Sequence, residues 1–116
     1  MESHFEYCAA LVREADRNRY LATLFAPAEQ RDVLFALYAF NVEILRVREL
    51  AREPMPGEIR LQWWREMLLG ERAAEAAAHP VAAALIEALT RHDLSSELLA
   101  DLIEARRFDL YNEPIS

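Results

Sequence analysis

The sequence predicts an all-α protein, and three observations carry that expectation. Ala, Leu, Glu and Arg dominate its 116 residues, and all four are good helix formers. Only 2 glycines are present, which leaves little room for hairpins or a glycine-rich phosphate loop. Apolar residues recur at helical spacing, and prolines stand where those periodic stretches begin. The length sets one domain, residues 1–116. A chain of this size buries roughly two-thirds of its unfolded surface, so a single core forms without staples.

Five helices are expected in an antiparallel bundle: about Ser3–Asp16, Ala28–Ala51, Gly57–Leu69, Val81–Arg91 and Ser95–Tyr111. The first carries Cys8, read as a small packed residue. The second starts after Pro27, with acids in its first turn. Its apolar stripe runs Val33, Leu37, Phe40, Ile44, Val47, and Leu34, Tyr38 and Leu45 widen it, so this helix is mostly buried and central. The third follows Pro56-Gly57-Glu58 with a stripe at Ile59, Trp63 and Met67; on that register Trp63 is core and Trp64 rim. The tract Ala73–Ala78 reads as a helical connector. The fourth starts after His79-Pro80 and buries Leu85 and Leu89, and the fifth buries Leu98, Leu102 and Ala105. Connections are short except for Arg19–Ala26, so neighbouring helices pack antiparallel.

Charge and composition exclude several chemistries. Net charge is −7, and all 13 basic residues are Arg. Without lysine there is no Schiff-base or Walker-type lysine. The acidic balance argues against nucleic acid as a partner, which calls for a basic face. One cysteine forms no intramolecular disulfide. No apolar run approaches the roughly 20 residues of a membrane span, so membrane contact is peripheral at most. His4, His79 and His92 lack metal-ligand spacing; His79 and His92 read as helix-terminus residues. Asp101, Glu104, Arg106 and Asp109 share a polar helix that either lines a cavity or forms a solvated charged face. Arg46, Arg48 and Arg52 make a small basic patch, either an anion contact or a helix face paired with Glu43, Glu49 and Glu53.

Five segments, in order and over essentially the whole chain, resemble the squalene/phytoene synthase family. They are Tyr20–Pro27, Arg31 with Phe35–Phe40, the Trp63-Trp64 region, His79–Ala82 and Asp101–Leu110. The resemblance implies the N-terminal portion of the all-α isoprenoid synthase fold, a bundle around a deep apolar cavity. Active relatives use Mg²⁺, held by two aspartate-rich motifs, to condense prenyl diphosphates. On this resemblance the two leading acidic positions of the first motif fall on Leu45 and Arg46, and the trailing one on Glu49. Leucine offers no oxygen, and Mg²⁺ takes oxygen ligands near octahedral geometry. No catalytic residue, no metal and no cofactor are therefore expected. Asn41, Glu43, Arg46, Arg106 and Asp109 are the candidate diphosphate or cavity contacts. In the family the second aspartate-rich motif falls at positions past the one matched by Ser116, so the resemblance covers only the N-terminal part of the bundle.

The runs Ala39–Glu43, Ile59–Trp64 and Arg91–Leu94 further resemble the family's non-catalytic branch of complex I assembly factors. The expectation is thus a non-catalytic binding or assembly module with an assembly partner protein and a prenyl or lipid-like ligand. Two alternatives stand beside it. One is a prenyltransferase completed by a C-terminal half or a partner chain. The other is a plain helical oligomerisation module, a homodimer. The Arg-only, Ala-rich composition reads as bacterial and cytoplasmic.

Overall fold

Three of the helices begin where a side chain can take an orphan amide. The computed structural model describes residues 3–50, 54–95, 99, 100 and 103. In α1 (His4–Ala15) the Ser3 hydroxyl accepts from the Glu6 N–H at 3.0 Å. The chain then breaks at Asp16, whose backbone, at φ −150° and ψ 81°, leaves the helical region while its carboxylate accepts from the Arg19 N–H at 3.1 Å. That cap opens α2 (Arg17–Leu24). Helix α3 (Ala28–Leu50) follows Pro27, and the Arg31 Nε donates to the Ala26 carbonyl at 3.0 Å, fixing the corner. Then come α4 (Pro54–Leu68), with two prolines in its first turn, the short α5 (Ala73–Ala78), and α6 (Pro80–Arg91), capped by the His79 ring. Helix α6 closes with Asp93 in the left-handed region, φ 51°, and the Leu94 N–H on the Leu89 carbonyl at 2.9 Å. Among the described residues every element is a helix, as the composition predicts.

Helices α1, α3 and α6 pack on one another; α2 and α4 lean on α3, and α5 on α6. Val33, Phe40, Ile44 and Val47 of α3 are buried as their spacing predicts, and so are Cys8, Leu85 and Leu89. The stretch expected as a long connection, Arg19–Ala26, is mostly α2, because Asp16 recaps the chain at once. Helix α4 begins at Pro54 rather than Gly57. The Ala-rich connector is α5. Of the last expected helix, Leu99, Ala100 and Ile103 are helical, and the latter two are buried. Leu98, Leu102 and Ala105 lie outside the described residues.

The tryptophan assignment is reversed. Trp64 is 0% exposed, whereas Trp63 is half-buried and Ile59 is 66% exposed. The buried face of α4 runs Gly57, Leu61, Trp64, Leu68, not Ile59, Trp63, Met67, although Met67 is also buried. Both registers satisfy helical periodicity. The choice is made by α3, whose Phe40 meets Trp64 edge to face at 5.4 Å. Leu45 departs as well: it is 37% exposed and does not widen the core stripe.

Trp64→Ala is expected to cost about 3–5 kcal/mol, and Trp63→Ala about 1 kcal/mol, in urea unfolding. Equal losses, or the reverse order, would restore the other register.

Candidate functional site

A cavity of about 360 Å³ opens between α3 and the α1–α2 break. Helix α3 contributes Tyr38, Asn41, Val42, Leu45, Arg46 and Glu49, which lie along one side of the helix at helical spacing. The break contributes Val12, Ala15, Asp16 and Arg19. The cavity therefore has an apolar part, Val12, Ala15, Val42 and Leu45, and a polar part of two carboxylates, two guanidiniums, an amide and a phenol. Formal charge cancels around it.

Those charges are partly committed. Asp16 pairs with the Arg19 guanidinium at 3.4 Å while also capping α2. The Arg19 guanidinium lies over the Tyr38 ring at 5.1 Å. Among the described residues, no three or more His, Cys, Asp or Glu side chains are grouped so as to hold a metal ion.

Four of the sequence-derived site residues come together here: Asn41, Leu45, Arg46 and Glu49. Glu43 does not line the cavity. It stands round the helix, where its carboxylate acts on Cys8 and His79. Arg106 and Asp109 lie outside the described residues, as do Asp101, Glu104, Arg52 and Glu53. Sequence reasoning missed Asp16, Arg19 and Tyr38. An Asp between two helix-forming runs is an N-cap signal, and it marked the break that forms the far wall.

Two titratable groups sit deeper. Burial, with the Glu43 and Asp32 carboxylates adding, pushes the Cys8 thiol up to about 12. It stays a protonated, unreactive core side chain. His79, at the start of α6, accepts from the Ala82 N–H through Nδ1 at 3.3 Å. Its ring packs against Trp63 and Trp64, with centroids 5.4 and 5.2 Å away. Burial lowers its pKa from 6.5; the Arg60 charge lowers it further, and Glu43 opposes both.

The sequence pattern of the squalene/phytoene synthase family matches residues 12–116. Human NADH dehydrogenase (ubiquinone) complex I, assembly factor 6 is 36% identical over 104 residues, 90% of this chain and 31% of the relative. The Drosophila melanogaster homologue of that factor is 41% identical over 64 residues, 54% of this chain and 19% of the relative. More distantly, the bifunctional protein CrtB/UppS of Streptomyces coelicolor is 25% identical over 116 residues, 99% of this chain and 20% of that protein. The chain spans about a third of the assembly factors' length. No solved structure matches it significantly.

These relatives overturn the bacterial, cytoplasmic setting expected from composition. The matches at 34–41% identity are animal complex I assembly factors from human, cow, rat, mouse and fly. Composition misled because Ala and Arg are strong helix formers in any compartment.

The His79 shift gives stability a defined pH dependence. The unfolded chain takes up a proton near 6.5 that the folded ring resists. The His79 contribution is therefore complete above 6.5 and is lost as pH falls through 6.5 toward the folded value. His79→Asn keeps a capping acceptor but does not titrate. Its thermal midpoint is expected to change less than the parent's between pH values either side of 6.5. Parallel pH profiles would remove His79 as the cause.

Proposed function

The chain belongs to the squalene/phytoene synthase family, and we propose that it is a non-catalytic member, acting as a binding and assembly module. The observation that carries this reading is the content of the α3 cavity. At the positions where active relatives are expected to present the leading carboxylates of a metal-binding motif, the cavity presents Leu45 and Arg46. A magnesium ion needs several oxygen ligands around it. The two carboxylates here do not fit that need: Asp16 already serves Arg19 and the start of α2, and Glu49 shares the cavity with Arg46. A guanidinium repels a divalent ion and instead contacts anionic or polar groups directly. The apolar part retains room for a prenyl or lipid-like ligand.

The names of the matching relatives support the other half of the reading. Proteins that are 36% identical to this chain over about a third of their own length are complex I assembly factors. On that likeness the partner is a protein component on the assembly route of complex I. The distant match to CrtB/UppS, covering nearly the whole chain, favours a second reading, a prenyltransferase whose remaining ligands come from elsewhere.

Two measurements separate these readings. Incubated with labelled farnesyl diphosphate and Mg²⁺, this chain and any longer form of the protein are expected to yield no head-to-head product; turnover overturns the non-catalytic reading. Replacing the two side chains by acids, Leu45→Asp with Arg46→Asp, is expected to tighten Mn²⁺ binding by at least about tenfold, roughly 1.4 kcal/mol. Leu45 is partly exposed, so the fold should tolerate the change. Unchanged Mn²⁺ affinity would mean that these two side chains are not what keeps the ion out.

A further inference from the structure

The corner where α4 meets the start of α6 holds more hydrogen-bond donors than acceptors. His79 Nδ1 faces the Ala82 N–H, an amide fixed in place by α6. A neutral imidazole has a single acceptor nitrogen, so with Nδ1 taking the Ala82 amide the ring proton is assigned to Nε2. That Nε2 in turn faces the Arg60 Nη2, also a donor, at 3.4 Å. The guanidinium is held there over the Trp63 ring at 4.8 Å and the Trp64 ring at 5.9 Å. In the same cluster the buried Trp64 indole N–H has no acceptor. Alongside, α4 exposes Met55 (70%) and Ile59 (66%) next to half-buried Trp63, on a wide groove also bordered by Glu58 and Glu66.

We propose that this face of α4 docks a segment of a partner protein that is apolar with an acidic edge. Its apolar side chains lie on Met55, Ile59 and Trp63, and a carboxylate enters between Arg60 and His79. A carboxylate oxygen accepts from both facing donors at once, a charge-assisted arrangement stronger than either neutral bond. A single carboxylate fits better than a phosphate-rich surface. Glu58 borders the same groove beside Glu66, whose carboxylate is paired with Arg72 at 2.7 Å, and a chain of net charge −7 is repelled by an anionic bilayer. This proposal rests on the assembly-module reading and adds to it where on the molecule the partner sits and what chemistry it brings.

The test uses two fluorescein-labelled helical peptides that share one leucine-rich face and carry either Glu or Gln along its edge. Binding to the chain is followed by fluorescence anisotropy. The Glu peptide is expected to bind about tenfold more tightly than the Gln peptide. Arg60→Gln should bring the Glu peptide down to the level of the Gln peptide. Ile59→Ser, at an exposed position, should weaken both. Equal binding of the two peptides, or a preference that survives Arg60→Gln, overturns the proposal. So does displacement of the Glu peptide by inorganic phosphate or by phosphatidylserine vesicles, which would reassign the donors to a phosphate group. A dimer in sedimentation that Ile59→Ser dissolves would assign the ridge to a second copy and also overturn it. Failure here leaves the non-catalytic reading standing, because the turnover and Mn²⁺ measurements report on the α3 cavity instead.

Discussion

Everything in this bundle is referred to the rotation of α3 about its own axis. Ala36 and Ala39 are fully buried, so α3 presents two methyl-sized side chains where its neighbours approach. Beside them Phe40, Ile44 and Val47 fill the space toward α1, α4 and α6. Close packing of this kind tolerates little rotation, because turning the helix by one residue would exchange small side chains for large ones. Once the buried side is fixed, the other side is fixed with it. That is why Tyr38, Asn41, Leu45, Arg46 and Glu49 must look at the α1–α2 break.

Asp16 is the second fixed point, and it has three roles through one side chain. It interrupts the first helical run, caps the second, and neutralises Arg19 at the cavity wall. Each role depends on the others, since the cap holds the carboxylate where the ion pair forms. Both partners are about half exposed, so the ion pair itself adds little stability. Its consequence is chemical. A carboxylate occupied by a helix start and a guanidinium is a poor ligand for a divalent ion, and the cavity is left polar, apolar in part, and formally neutral.

The α4–α6 corner shows the opposite imbalance. Trp64 is buried for its area, His79 for its cap, and Arg60 lies across the aromatic faces. Each placement is favourable alone, yet together they collect more donors than acceptors. A buried or half-buried donor left unpaired costs free energy that a partner's acceptor recovers. The same corner disfavours the charged imidazole, so capping, burial and unpaired donors are three aspects of one arrangement.

Most of the fold was legible in the sequence, because helix propensity and the 3.6-residue period are properties of each segment by itself. The stripe from Val33 to Val47, the start after Pro27 and the caps at His79 and Pro80 all follow from local rules. So does half of the cavity, since Asn41, Leu45, Arg46 and Glu49 share one side of one helix. The sequence was silent where two local answers were equally good. Adjacent tryptophans both fit a helical register, and packing against rings distant in sequence, Phe40 and His79, selected Trp64. Glu43 looked like a cavity residue until the packing of α3 turned it toward Cys8 and His79. The far wall, Asp16 and Arg19, belongs to a different helix pair, and its approach to α3 is a long-range contact that no periodicity encodes. The chain by itself determined most of the helical segments, α2 being the one read as a connection, and the side chains they carry; tertiary packing decided which side of each helix meets which neighbour, because that choice depends on the shapes of side chains distant in sequence.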